Sequence, residues 1–198
     1  MKIFLSNIAP EKIVTERLTL RAFCMDDEQS MFENWTSDPE VARFMAGKAH
    51  STLAMTHSVL ESFCRHRNRG SFHWAIVPNR ILCDKKQLED GKPMGSVSIV
   101  RFDPIQKEAE LGYALARALW GMGIMPEAVT AVMEWGILRL GVKRFSAQVF
   151  DGNVSSVRVL EKCGFSHVST QPNGAYRNTG KPADVLAFEK SVKFCGNR

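Results

Sequence analysis

No stretch of the 198-residue chain approaches the roughly eighteen consecutive apolar residues that a membrane-spanning helix requires. A helical membrane protein is therefore not expected. The opening segment, Met1-Lys2-Ile3-Phe4-Leu5, turns polar at Ser6 and Asn7 and charged at Glu11 and Lys12, so the apolar core of a secretory signal is missing. The expected compartment is the cytoplasm. Cysteine is scarce and unpatterned: Cys24, Cys64, Cys83, Cys163 and Cys195 are odd in number, widely spaced and without a CxxC pair. Neither a disulfide framework nor a zinc site is indicated, so reduced thiols and no metal are expected. Internal repeats, low-complexity tracts and interdomain linkers are lacking as well. Residues 1–198 are expected to form a single domain, a length that suits one α/β unit.

What is present is ordinary in amount: 44% apolar and 24% charged residues, enough for a sizeable buried core. The net charge of +5 is compatible with nucleic acid but equally with an anionic cofactor. The basic residues are scattered, and only Arg65-His66-Arg67-Asn68-Arg69 is dense. Such a cluster at a helix end suits the helix dipole. Direct nucleic-acid binding is not expected, although an RNA-associated role for Arg65, Arg67 and Arg69 stays open as a minor alternative.

Hydrophobic periodicity supplies the elements. Glu16 to Ala22 alternates as a half-buried strand. Asp26 or Asp27 can cap a helix carrying Met31, Phe32 and Trp35, and Asp38-Pro39-Glu40 repeats the start signal with proline at the first helical position. Ser51 to about Arg67 reads as an amphipathic helix, Phe72 to Val77 as a strand, and Pro78 to Pro93 as a long, mobile hairpin connection. Met94 to Phe102 and Glu108 to Leu115 are strands, and Pro126 to about Leu140 is a helix. Lys143 to Phe150 is a strand, and Asn153 caps a helix that stops at Gly164. Two closing strands lie near Phe165 to Thr170 and Ala183 to Ser191.

The chemistry is concentrated in EAELGYALARALWGMGIMPEA, residues 108–128. A strand runs to Leu115, and Trp120-Gly121-Met122-Gly123-Ile124-Met125 then leads into a helix with Glu127 in its first turn. Glycines between a strand end and a helix start let backbone N–H groups converge at the positive end of the helix dipole, which makes an anion site. It is not a P-loop, because no GK[ST] follows, and the G-x-G-x-x-G dinucleotide spacing is absent. Taken alone, a tight turn whose glycines serve packing explains the segment as well.

The segment does not stand alone. LGY, six residues and WGMGIMPEA closely resemble the pyrophosphate loop of the GNAT acetyltransferase superfamily, in the form seen in the ribosomal-protein N-terminal (alanine/serine) acetyltransferase group. ERLTLR resembles that group's first strand, and Asp38-Pro39-Glu40-Val41 its second-helix opening. NVSSVRVLEKCGF from Asn153 to Phe165 resembles its N-x-x-S-x-x-x-x-E-K-x-G-F signature. The resemblance spans about residues 14 to 190. It implies the GNAT fold: an α/β domain with a central mixed, mostly antiparallel twisted sheet of about seven strands, flanked by helices and splayed at the cofactor site.

It also implies a reaction, transfer of an acetyl group from acetyl-CoA to a primary amine. The backbone of Trp120, Gly121, Met122, Gly123, Ile124 and Met125 would hold the CoA phosphates. The strand end near Leu115 would pair with the pantetheine arm, and Asn153 would hydrogen-bond it. In the family pattern Q/R-x-x-G-x-G/A, Trp120 takes the first place, and Met125 stands where glycine or alanine is usual. Amine attack on a thioester calls for a base. Glu110 is the first candidate, with Glu108 in reserve on the same strand face. Both are expected opposite Leu111, Tyr113 and Leu115. Ser156 matches the signature serine and would meet the thiol. Leu160 occupies the place where many relatives carry a tyrosine acid, so that role does not transfer.

His73 is expected to be structural. Tyr113, Trp35, Phe44 and residues 47–52 are expected on the acceptor side. The favoured acceptor is the α-amine of a protein or peptide. A small amine (polyamine, amino acid or aminoglycoside) and a non-catalytic CoA-binding module remain open, as does a homodimer. No membrane partner is expected.

Overall fold

A computed structural model describes residues 9–45, 47–65, 70–176 and 180–192. Leu18 and Leu20 alternate inward from β2 (Leu18–Ala22), and both are fully buried. Around β2 the chain lays down β1 (Ile13–Val14), β3 (Phe72–Pro78), β4 (Gly95–Asp103), β5 (Glu108–Leu115), β6 (Arg144–Phe150), β7 (Ser166–Tyr176) and β8 (Pro182–Ser191). They form one eight-stranded sheet in the order β1-β2-β3-β4-β5-β6-β8-β7. The eighth strand, beyond the seven expected, is the two-residue β1. Only β5 and β6 run parallel; the other neighbours are antiparallel.

That parallel pair is where the sheet opens. β5 and β6 are in register only from Glu108↔Arg144 to Leu111↔Ala147. Beyond that point β5 stays with β4 as far as Leu115↔Gly95, while β6 stays with β8 as far as Phe150↔Val185. Two neighbouring strands that each keep their outer partner must diverge, so their facing edges are left unpaired by each other.

Helices cover both faces. α5 (Ile124–Leu140) and α6 (Val154–Lys162) lie over the main core, which includes Trp74, Ile99, Leu111, Val129 and Phe145. α1 (Glu28–Met31), α2 (Pro39–Ala42) and α3 (Leu53–Arg65) cover the opposite face. There Phe23, Met31, Trp35 and Leu60 pack with Ala75 and Ala114. Burying each such large side chain contributes on the order of 1.5–3 kcal/mol.

Three local expectations need correction. The segment expected to be a mobile connection holds a helix, α4 (Arg80–Lys86), whose start is capped by Asn79 accepting the Leu82 N–H at 3.0 Å. Its charged sequence disguised it, but Leu82 and Cys83 anchor it in the core. Asp27 stands at the N-cap of α1 but its side chain makes no capping bond to that helix; it accepts the Cys24 N–H at 3.0 Å, at the start of the preceding 3-10 turn. Its carboxylate is taken by the Arg21 guanidinium in two bonds of 2.7 Å, and α1 runs into a wide π turn over Phe32–Thr36. The long helix opens at Ile124 rather than Pro126, because Gly123 takes the left-handed conformation that ends the preceding turn. Of the dense basic cluster, Arg65 pairs with Glu61, and residues 66–69 lie outside the described residues. Cys24, Cys64, Cys83 and Cys163 are free thiols, and Cys195 lies outside the described residues. Among the described residues no helix is long and apolar enough to cross a membrane, and no group of three metal-ligating side chains converges.

Candidate active site

β5 ends when the Ala116 N–H reaches the Met94 carbonyl at 2.8 Å, and one 3-10 turn, Arg117–Leu119, redirects the chain. The Trp120 indole N–H donates back to the Leu115 carbonyl at 2.8 Å, which ties the loop to the strand end. Gly121 and Gly123 then adopt φ of 75° and 72°. For an L side chain that region costs roughly 1–2 kcal/mol per residue, and glycine avoids the cost. The turn brings the N–H groups of Gly121, Met122, Gly123, Ile124 and Met125 together at the start of α5. None of the five has a hydrogen-bond acceptor among the described residues. Five unpaired donors at the positive end of a seventeen-residue helix form a site that fits a pyrophosphate. The Met125 side chain is largely buried in the main core.

The loop faces a cleft of about 700 Å³ at the divergence of β5 and β6. Of the residues expected to hold cofactor, Leu115, Trp120, Gly121 and Gly123 line it, as do Ile124, Met125 and Asn153. Met122 does not line it; its side chain packs against the core. Across the cleft, α6 presents Ser155, Arg158 and Lys162, of which Arg158 and Lys162 are exposed cations suited to phosphate. The Asn153 side-chain oxygen caps α6 by accepting the Ser156 N–H at 3.2 Å. Its amide nitrogen has no partner among the described residues.

Ser156 also lines the cleft, and its hydroxyl meets the Tyr113 hydroxyl at 2.8 Å. Tyr113 lines the same cleft, on the face covered by α5 and α6. Burial pushes its pKa up to about 12, against a partly offsetting hydrogen bond from Ser156. It therefore stays protonated at any physiological pH. Leu160, at the place of the missing tyrosine, is fully buried in the core.

Glu110 lies on the sheet face opposite Leu111, Tyr113 and Leu115, the face it shares with Ala114 under α1–α3. It forms an ion pair with Arg101 at 3.1 Å and does not line the cleft described above. Its register partner Ser146 is one position before the last β5–β6 pair, so Glu110 sits next to the split. Glu108 is engaged with Arg144. On the same face the His73 ring stacks on Phe63 with centroids 4.1 Å apart, and its Nδ1 pairs with the Ser98 hydroxyl at 2.8 Å, in keeping with a structural part.

Two other expectations for the acceptor side are revised. Trp35 is buried in the smaller core rather than lining the cleft, because α1 and α3 close over it. Residues 47–52 are not among the cleft residues either; the His50 N–H is tied to the Thr36 carbonyl at 2.8 Å. Phe44 does line the cleft, with Glu40, Val41 and Met45 beside it. Asp38 ties this segment to the turn after β5: one carboxylate oxygen caps α2 at the Glu40 N–H, and the other accepts from Arg117 Nε at 2.5 Å.

A set of contacts with no signal in the sequence braces the loop from behind. The Glu127 carboxylate accepts from the Thr15 hydroxyl at 2.5 Å, the Arg17 N–H at 3.0 Å and Arg17 Nε at 2.7 Å. The rest of the Arg17 guanidinium donates to the carbonyls of Met122, at 2.8 Å, and Gly123, at 3.2 Å. Burial alone would raise the Glu127 pKa, but these bonds outweigh it and hold the carboxyl below its ordinary value.

A loop of this kind at a sheet divergence has counterparts among known proteins. The family model described as "Acetyltransferase (GNAT) domain" matches residues 17–166. The chain belongs to the GNAT acetyltransferase family. It is 28% identical over 182 residues to the uncharacterized N-acetyltransferase p20 of Bacillus licheniformis, covering 90% of this chain and 94% of that protein. Its fold matches RimL, a ribosomal L7/L12 alpha-N-protein acetyltransferase, with a TM-score of 0.78 at 19% identity, over 94% of this chain and 97% of that one. It likewise matches the microcin C7 self-immunity acetyltransferase MccE, solved with acetyl-CoA and AMP. There the TM-score is 0.76 at 21% identity, over 90% of this chain and 94% of the other. This GNAT protein is an N-acetyltransferase, with acetyl-CoA as acyl donor and an amine as acceptor.

Proposed function

We propose that the acceptor is the N-terminal α-amine of a protein or peptide. The observation that carries this is the charge of the cleft. Glu40 is the one carboxylate lining it among the described residues, beside apolar Val41, Phe44 and Met45. A polyamine or aminoglycoside carries several positive charges, and sites for such ligands need several carboxylates. A peptide N-terminus brings one amine and apolar backbone-flanking surface, which matches this rim. The fold likeness to an α-N-protein acetyltransferase points the same way.

In the proposed arrangement the free N–H groups of residues 121–125 hold the pyrophosphate, and Arg158 and Lys162 add charge from α6. The pantetheine arm lies along the β5 edge near Leu115, in the manner of an added strand, with the Asn153 amide as a further donor. The amine enters from the α2 side. Glu110 accepts its proton through water, and the amine nitrogen attacks the thioester carbonyl carbon. The C–S bond then breaks as the amide forms, and the nitrogen's second proton passes to the leaving sulfur through the Ser156 hydroxyl, which takes one proton as it gives one up and which Tyr113 orients, so that the free CoA thiol is released.

Release of free CoA is to be followed with acetyl-CoA and a panel of N-terminal peptides, polyamines, amino acids and aminoglycosides, with acetylated products located by mass spectrometry. Turnover on peptides, with the acetyl group on the α-nitrogen, supports the proposal. Turnover confined to small amines overturns it.

A further inference from the structure

The start of α5 leaves two carbonyls short of helical donors. Met122 lies ahead of the N-cap Gly123, whose left-handed backbone keeps the helical ladder from reaching it, so its carbonyl has no donor within α5. The first helical bond, from the Glu127 N–H to the Gly123 carbonyl, is long at 3.4 Å. Two consecutive carbonyls are thus poorly served by their own helix, and the same side chain, Arg17, bonds to both. Arg17 comes from β2's leading edge, more than a hundred residues earlier, and Glu127 fixes its position through three bonds to Thr15 and Arg17.

A trans peptide is planar, so the carbonyl of one residue and the N–H of the next point in opposite directions. Holding the Met122 carbonyl toward Arg17 turns the Gly123 N–H away from it, and holding the Gly123 carbonyl does the same for the Ile124 N–H. The opposite side is the cleft, which Gly123 and Ile124 line. We propose that Arg17 is a positioning residue for cofactor binding: gripping the Met122 and Gly123 carbonyls, it aims the Gly123 and Ile124 N–H groups at the pyrophosphate. Its charge is already matched by Glu127 at 2.6 Å, so its contribution is orientation rather than attraction. A planar guanidinium can reach two carbonyls and a carboxylate at once, and a lysine ammonium on its flexible stem cannot hold all three in that geometry. This inference rests on the assignment of the loop to the CoA pyrophosphate.

The test is titration of wild-type protein, Arg17→Ala and Arg17→Lys with CoA and with pantetheine, which lacks the pyrophosphate, followed by amide NMR. The wild type is expected to bind CoA far more tightly than pantetheine. Arg17→Ala is expected to weaken CoA binding about tenfold, the equivalent of one to two hydrogen bonds, and to leave pantetheine binding within about twofold. Arg17→Lys should stay close to the alanine variant. Equal losses for both ligands, unchanged CoA affinity or full rescue by lysine would each overturn the proposal, the last by showing that charge suffices. A wild type that does not prefer CoA over pantetheine would instead remove the loop assignment itself. Should Arg17→Ala not fold, the lysine variant carries the same two-ligand comparison.

Discussion

The hydroxyls of Tyr113 and Ser156 meet at 2.8 Å where β5 passes the first turn of α6. Tyr113 is mostly buried and its pKa lies near 12, so the pair always contains a phenolic proton. In the proposed mechanism Ser156 faces the leaving sulfur and Tyr113 fixes the direction of the serine hydroxyl. Tyr113→Phe is expected to lower kcat about tenfold with a small change in KM for acetyl-CoA, the loss of one oriented hydrogen bond. Ser156→Ala should lower kcat at least as much. Steady-state kinetics of the two single variants and the double variant check this, and additive losses would show that the hydroxyls act independently.

Glu110 stands beside the opening of the sheet with Arg101 as its ion-pair partner. If it is the base, Glu110→Gln lowers kcat/KM by about a hundredfold near neutral pH, where the acceptor is mostly an ammonium ion. The deficit should shrink as pH rises toward the amine's own pKa, because free amine then needs no base. A variant that matches wild type throughout a pH profile would leave Glu110 with its salt bridge alone.

The Glu127 carboxyl is held below its ordinary pKa in the fold. A group depressed on folding stabilises the native state fully above its unfolded pKa, roughly 4.3 for glutamate, and that contribution fades as pH falls through the lower folded value. Glu127→Gln should therefore lower Tm at pH 7, and its deficit relative to wild type should narrow as the pH is taken below about 4. Melting curves across that range decide it; a deficit that stays constant would show that charge on Glu127 is immaterial.

Asp38 joins α2 to the turn that follows β5, capping α2 with one oxygen and binding Arg117 with the other. Asp38→Ala removes both and is expected to cost about 1 kcal/mol of stability through the lost cap. It should raise KM for the acceptor more than for acetyl-CoA, since α2 and the following residues carry Val41, Phe44 and Met45. Asp38→Asn keeps a capping oxygen but not the ion pair. Comparison of the two in stability and in both KM values separates the roles.

At Gly123, φ is 72° and a Cβ would meet only Arg17 Nη2, at 3.7 Å, so there is room but the backbone is wrong for other residues. Gly123→Ala is expected to destabilise by about 1 kcal/mol. Gly123→Glu adds a carboxylate beside the phosphate site and should abolish CoA binding while the circular-dichroism spectrum remains that of the folded protein. Retained affinity in a folded glutamate variant would sink the loop assignment.

The elements whose cause is local can be read from the chain alone. Alternation in Leu18–Leu20, the glycines at 121 and 123 and the Asn153 cap each act within a few residues, so the family, the sheet and the loop were legible from them. Asn79 sends the same kind of signal for α4, but the charged run that follows it masks the apolar pattern of the helix. Tertiary structure decided what depends on two distant segments meeting. Trp35 left the acceptor side because α1 and α3 bury it, and Tyr113 found Ser156 because β5 faces α6. Above all, Arg17 and the Met122 and Gly123 carbonyls carry no mark of each other in the chain. A carbonyl left without its helical donor must be satisfied from elsewhere, and only the folding of β2 against α5 shows which side chain arrives.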